Sequence, residues 1–311
     1  MKIAWILPGS PADEQNMIFA RRSVPVLQSR GIDLQLFFVA DRLSPLSLYR
    51  SWKELRQKLA IFYPDYVHAQ YGSMLGFFSL LLGWPLIVTF RGSDVNGDPS
   101  LPVWRRKLTY LLSWVTAQRA AKVICVSRPL ADTLSVSNAH ILPSPLDLEL
   151  FLPISVTEAR QHLKLSFTKK VVAFAGGDRP LKRRDLAKQA VELAGMELLD
   201  IRGVSPDQMP LWINAADVLI FTSEREGSPN IVREALACGV PVVSVNVGDV
   251  SKWLELDASS TITEASSEAL SFALTHVTDS IKGRSRRADL SSLSLEEHAK
   301  KLVLLYSKET H

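Results

Sequence analysis

Two glutamates, Glu226 and Glu234, stand eight positions apart in the run SEREGSPNIVREALACGVPVV, residues 223–243, around a Gly-Ser-Pro-Asn turn. Carboxylates accept hydrogen bonds from paired hydroxyls, so one can face a sugar while the other reaches a ribose diol. The turn, Gly227-Ser228-Pro229-Asn230, presents backbone N–H groups where a helix must begin, and such a start attracts anions or sugar hydroxyls. Ser228 suits an N-cap and Pro229 the first helical position, so the helix is expected to start at that pair. Gly239 is placed to end it, and Pro241 prevents its continuation. Two glutamates at this spacing also occur in ordinary amphipathic helices, so the spacing alone decides nothing.

A second cluster lies in FAGGDRPLKRRDLA, residues 174–187. It follows a strand pattern and opens a helical one. Gly176 and Gly177 allow a backbone to approach a ligand, and Arg179 and Lys182 offer cations to a diphosphate. The basic triplet at 182–184 fits a solvated helix start as well. In TFRGSDV, residues 89–95, Arg91 cannot serve as a base near neutrality. It can hold a phosphate or a sugar hydroxyl, or pair with Asp94.

These residues need elements to position them. Short β-branched runs alternate with longer helical patterns along the whole chain, the pattern of parallel sheets covered by helices. Strands are expected at 3–7, 34–39, 66–70, 86–90, 122–126 and 140–142, with helices such as 48–62 and 102–120 between them. PSPLDLELFLP, residues 143–153, interrupts both patterns with three prolines and reads as a linker. The alternation then restarts, with strands expected at 171–175, 197–202, 218–222 and 242–245. The apolar run 74–88 is 15 residues long and holds Pro85, short of the roughly 18 to 20 needed to span a bilayer. It is expected to form a buried helix and then a buried strand.

The chain has 311 residues, 47% hydrophobic and 22% charged, which suits two domains with sizeable cores. Cys125 and Cys238 lie in apolar runs without metal or disulfide spacing, as expected of reduced thiols in a cytosol. MKIAWILP is too short in its apolar stretch for a signal peptide. Residues 1–150 carry 16 Lys and Arg against 11 Asp and Glu, whereas residues 151–311 carry 20 against 21. That basic first half fits an anionic acceptor, peripheral contact with an anionic membrane, or simple solubility. The basic residues are scattered, which argues against a nucleic-acid partner.

Residues 223–243 resemble the Glu-x7-Glu region of the retaining, GT-B-fold glycosyltransferases of family 4, also called group 1. Glu226, Gly227, Pro229, Glu234, Ala235, Ala237, Gly239 and Pro241 all match that pattern. The likeness extends over nearly the whole chain. PDYVHAQYG (64–72), TFRGSDV (89–95), VICVS (123–127) and DLELFLP (147–153) each resemble a family segment. The resemblance implies a nucleotide-diphosphate sugar donor, with UDP or GDP expected, and transfer without a metal. It implies a saccharide or lipid-linked acceptor and a setting in envelope or exopolysaccharide synthesis, in the cytoplasm or at the inner face of the membrane. Four departures stand out. Gly177 takes a position where the family has Arg, so Arg179 is expected to substitute. Arg91 replaces a His. Pro143-Ser144-Pro145-Leu146-Asp147 replaces Pro-Asn-Gly-Val-Asp. After the first strand Gly9 stands alone where a Gly pair is usual.

The expected architecture is therefore α/β, two doubly wound Rossmann-like domains facing across a cleft in the GT-B manner. Residues 1–150 and a final helix at about 294–309 would form the acceptor domain, and residues 151–293 the donor domain. Lys182 with Arg179 would neutralise the leaving phosphates, with Arg91 facing them or the sugar. Glu226 would orient the sugar and Glu234 the ribose. Gly176, Gly177, Gly227, Ser228, Pro229, Asn230 and Gly9 would line the donor, with Gly203 at the base. An epimerase or phosphorylase on the same scaffold, or a degenerate binding protein, fits the same motifs.

Other signals fail on their spacing. DVNGD, residues 94–98, imitates a calcium loop, but its Gly is early and its twelfth position is Arg105. No two aspartates lie two apart, so the metal-binding Asp-x-Asp of the other glycosyltransferase fold is missing from the sequence. There is no G-x-G-x-x-G and no P-loop. His68, on an expected strand, fits a packed core histidine as well as a site residue.

Overall fold

The computed structural model describes residues 1–13, 15–39, 45–97, 100–166, 168–280 and 287–307; Asp98, the last residue of the calcium-like segment, lies outside them. Six short apolar runs form a parallel sheet: β1 (Lys2–Pro8), β2 (Asp33–Val39), β3 (Tyr66–Ala69), β4 (Leu86–Phe90), β5 (Lys122–Cys125) and β6 (His140–Ile141). Their spatial order is β2-β1-β3-β4-β5-β6. Successive side chains on a strand point to opposite faces. Ala4 and Ile6 pack with Val67, Ala69 and Val88 under Leu55, Leu75, Phe78 and Leu130 of the helices on one side. Ile3, Trp5 and Leu7 pack with Ile87 and Ile124 under Ala20, Leu27, Leu302 and Tyr306 on the other. Both faces are covered, which is why the strands read as almost unbroken apolar runs.

A second parallel sheet contains β7 (Val171–Phe174), β8 (Glu197–Asp200), β9 (Val218–Phe221), β10 (Val242–Val245) and β11 (Thr261–Thr263), in the order β11-β10-β9-β7-β8. Val171, Ala173, Leu219 and Phe221 face the helices Met209–Asn214 and Asn230–Ala237. Val172, Phe174, Val218 and Ile220 face Arg184–Leu193 and Ser267–Ser280. The three-residue β11, which the sequence reading did not include, is a half-exposed Thr-Ile-Thr edge without a diagnostic apolar run. The apolar run 74–88 forms the helix Ser73–Leu80 and then β4.

The chain is thus two Rossmann-like α/β units with parallel sheets. One comprises residues 1–145 with the helix Leu295–Ser307, and the other residues 146–294. The junction falls at Pro145, ahead of the expected break at 150, because Leu146 already belongs to the second core. Its N–H donates to the Leu293 carbonyl at 2.8 Å, and its side chain is buried there. In each sheet the chain reverses its direction of progress between two adjacent strands, β1 and β3 or β7 and β9. The carboxyl ends of such pairs open a crevice suited to ligands.

Candidate functional site

At the β7/β9 crevice two loops are sewn together. The Thr222 hydroxyl donates to the Lys182 carbonyl at 2.8 Å, and the Glu224 N–H donates to the Leu181 carbonyl at 2.8 Å. This brings Lys182, in the 3-10 turn Pro180–Lys182 after β7, against Glu226, in the loop after β9. Lys182 Nζ donates to Glu226 Oε1, and both side chains are mostly buried. The same ammonium lies 5.6 Å from the Phe221 ring centroid. Gly176 makes the approach fit, since a Cβ there would stand 2.7 Å from the Phe174 ring and 2.8 Å from Lys182 Cβ. Gly177 is left-handed, with φ +60° and open space above it. Arg179 is exposed at the start of the 3-10 turn.

The helix that carries Glu234 runs Asn230–Ala237, so it starts one residue later than expected, with Pro229 at the cap position and no capping side chain. Ser228 is not the cap because its hydroxyl donates instead to Asp249 Oδ2 at 2.8 Å. Gly239 ends the helix with φ +67°, and the Gly239 and Val240 N–H groups return to Leu236 and Ala235 in a Schellman motif. Glu234 is half-buried one turn inside. Beside it Arg233 is buried, donates to Asn230 Oδ1, and stacks over the Trp253 ring at 5.4 Å. Burial pulls the Arg233 guanidinium down to about 10, against the opposing pull of Asp249 and Glu234. Burial likewise pushes the Asp249 carboxyl up, while Ser228 and the Arg233 charge resist.

Asp249, Gly248 and Arg233 are site-bordering residues that the sequence reading missed. Gly248 has φ +60°, and a Cβ on it would meet the Gly227 carbonyl at 2.9 Å and the Glu226 carbonyl at 3.1 Å. The loop after β10 therefore lies directly on the Glu226-Gly227 backbone. The available signal was the Gly-Asp pair after the strand VVSV, in the same place as the Gly-rich loops after β7 and β9. Gly203, after β8, is exposed with φ +62°. Near it Asp200 accepts from Arg184 Nε at 2.6 Å and Arg202 Nε at 2.8 Å, so Arg184 and Arg202 are engaged in the fold.

Gly9 and Arg91 belong to the first unit. Gly9, φ +91°, is overlaid by Asn16, whose amide donates to the Pro8 carbonyl at 2.7 Å. Arg91 does not direct its guanidinium at Asp94. It donates from Nε to the Gln70 carbonyl at 2.8 Å, from Nη2 to Gln70 Oε1 at 2.6 Å and from Nη1 to Ser144 Oγ at 2.9 Å, over the Phe19 ring. Asp94 instead accepts the backbone N–H groups of Gly72, Arg91 and Gly92 at 2.7–3.1 Å, fixing the turn after β4. His68 is buried, 2.7 Å from the Tyr306 hydroxyl and 2.8 Å from Thr89 Oγ1. Trp5 Nε1 donates to the same Tyr306 oxygen at 3.0 Å. His68 is thus a fully partnered core histidine.

This architecture is that of GT-B glycosyltransferase structures. HepE of Anabaena, solved in complex with UDP and glucose, superposes with a TM-score of 0.73 at 16% identity, covering 99% of this chain and 100% of that one. Sucrose-phosphate synthase from Thermosynechococcus elongatus gives 0.69 at 15%, covering 98% and 94%. UDP-GlcNAc 2-epimerase from Methanocaldococcus jannaschii gives 0.63 at 11%, covering 98% and 99%. At those identities the likeness is one of fold. The family model for glycosyltransferase family 4 matches residues 8–150, and that for glycosyl transferases group 1 matches residues 136–279. The chain belongs to the group 1, family 4 glycosyltransferases.

Among curated relatives, the teichuronic acid biosynthesis glycosyltransferase TuaC of Bacillus subtilis is 26% identical over 250 residues, 68% of this chain and 61% of TuaC. D-inositol 3-phosphate glycosyltransferase of Segniliparus rotundus is 30% identical over 142 residues, 35% of this chain and 32% of that protein. The chain thus matches less than two thirds of either relative's length.

Proposed function

We propose that the protein transfers a sugar from a nucleotide-diphosphate sugar to a saccharide or lipid-linked acceptor, with retention at the anomeric carbon and without a metal. The observation that carries this reading is the Lys182–Glu226 pair, held at the β7/β9 crevice by Gly176 and the Thr222 clamp. In a bonded pair the carboxylate offsets the ammonium until a ligand arrives. A diphosphate can recruit Lys182, and its departure leaves Glu226 to orient the electron-poor sugar. Arg179, exposed at the mouth, adds a second cation, and the N–H groups from Asn230 add the helix dipole. Glu234 holds the ribose. The acceptor approaches the face that the diphosphate leaves, and a leaving phosphate oxygen takes its proton.

The likeness to a protein named for teichuronic acid biosynthesis supports an envelope polysaccharide setting, and the UDP-bound neighbour supports UDP as the first donor to try. The test is a thermal-shift titration with UDP, GDP, ADP and TDP on the native protein and on Glu234→Ala. Ligand at 100 times its dissociation constant adds about 2.7 kcal/mol of apparent stability. The expected result is a shift with one nucleotide that the variant loses. If none of the four shifts the native protein, the donor reading fails and a non-catalytic binding protein takes its place. Release of free sugar only with added phosphate would instead support a phosphorylase.

A further inference from the structure

The helix Val103–Arg119 is built inside out. Its buried positions are Ser113, Thr116 and Ala117, and its outward face carries Trp104, Leu108, Leu111 and Trp114. An ordinary surface helix buries its large apolar residues and exposes the small or polar ones. Here the small residues let the helix sit close against its neighbour. The Ser73 N–H donates to Ser113 Oγ at 2.8 Å, and a Cβ on Gly76 would stand 3.0 Å from Thr116 Cγ2. Trp104 is 62% exposed and Leu111 52%, and positions 104, 108 and 111 repeat at helical spacing, so they form one stripe. Contiguous apolar surface of this kind marks a docking face.

The charge beside the stripe identifies what it docks on. Arg105, Arg106 and Lys107 occupy the first turns, with the Arg105 guanidinium 5.2 Å from the Trp104 ring centroid. Cations at a helix N-terminus work against its dipole, so local stability does not explain them. Between residues 99 and 119 the sequence has four Lys and Arg and no Asp or Glu. A tryptophan-leucine stripe flanked by cations along one helix is the signature of a segment that lies in the headgroup layer of an anionic bilayer.

We propose that the helix Val103–Arg119 docks this unit on an anionic lipid surface through Trp104, Leu108, Leu111 and Trp114, with Arg105 and Lys107 meeting the headgroups. The proposal is independent of the donor-site reading, since binding is read without any sugar nucleotide. Vesicles of phosphatidylcholine, with and without phosphatidylglycerol, would be sedimented with the native protein, with Trp104→Ser/Leu111→Ser and with Arg105→Gln/Lys107→Gln. The native protein should pellet with the anionic vesicles, and added salt should weaken the binding. Each double variant should bind about ten-fold less tightly while keeping the native melting temperature. Equal partitioning to both vesicle types, or variants that bind like the native protein, would overturn it. So would sedimentation equilibrium showing a dimer lost in Trp104→Ser/Leu111→Ser without lipid binding, which would assign the face to a second copy.

Discussion

Lys182 and Glu226, separated by 44 positions in the sequence, close an ion pair at the carboxyl ends of two neighbouring strands, β7 and β9. Each is the other's counter-charge in the free protein. On the proposed mechanism both act at the same moment, so Lys182→Met and Glu226→Gln should each lower kcat by about 10²–10³. The double variant should lose less than the product of the two, because residues of one unit are not additive. Steady-state kinetics with the stabilising donor measure this. Near-native turnover in either single variant would remove that residue from the mechanism.

Gly176 is held by contact rather than by φ, because its Cβ position is already occupied by Phe174 and Lys182. Gly176→Ala should therefore push Lys182 out of place. The expected outcome is about ten-fold lower kcat/KM with the circular-dichroism spectrum retained. The same change at the open Gly203 is strained by its positive φ but meets no atom within 4 Å, and should leave Lys182 undisturbed.

Burial holds the His68 imidazole well below its ordinary value of 6.5, helped by the Arg91 and His298 charges. The unfolded chain takes up a proton near 6.5 that the folded one refuses. The associated stability is thus fully present above that pH and is lost as pH falls toward the folded value. The slope is at most about 1.4 kcal/mol per pH unit. Melting temperatures at about pH 7.5 and about pH 5 should differ more for the native protein than for His68→Gln. Other buried carboxyls, such as Asp94, are common to both proteins and cancel in that comparison. Parallel pH profiles would show that His68 does not titrate in this window.

Arg233 is a buried cation whose charge helps keep the neighbouring Asp249 ionised. Arg233→Met should leave that buried carboxylate with the Ser228 hydroxyl but without its buried cation, and cost about 3 kcal/mol, read as a lower urea midpoint. Pairing it with Asp249→Asn should recover part of the loss.

The strands were legible because a parallel sheet covered on both faces needs apolar runs. Leu86–Phe90 and Val242–Val245 have the ends expected, while the runs at 66–70 and 171–175 stop early as the chain turns into the crevices, and the edge strand expected at 197–202 ends at Asp200. The Glu226 and Lys182 loops were legible as separate motifs. Their bond was not, because nothing local says that Thr222 will clamp the Lys182 backbone. Ser228 reads as a cap from its neighbours and is claimed instead by Asp249, 21 positions away. Arg233 reads as the polar face of a helix and is interior, since the packing of Trp253 over it is decided far along the chain. The helix 103–119 was recognised as a helix, but periodicity cannot say which of its two faces turns inward.

Trp5 and Tyr306 share a hydrogen bond across 301 positions, and the Lys122 ammonium reaches the Leu305 carbonyl at 2.8 Å. The second unit, residues 146–294, is one uninterrupted stretch. On a ribosome, where domains fold as units from the N-terminus, the first unit is therefore completed only after the second has been synthesised. Residues 146–294 are all available before the strands at 2–8 and 122–125 receive their last covering helix. The Trp5 face, covered by Ala20 and Leu27 on one part, lacks the Leu302 and Tyr306 part of its cover until Tyr306 has left the exit tunnel.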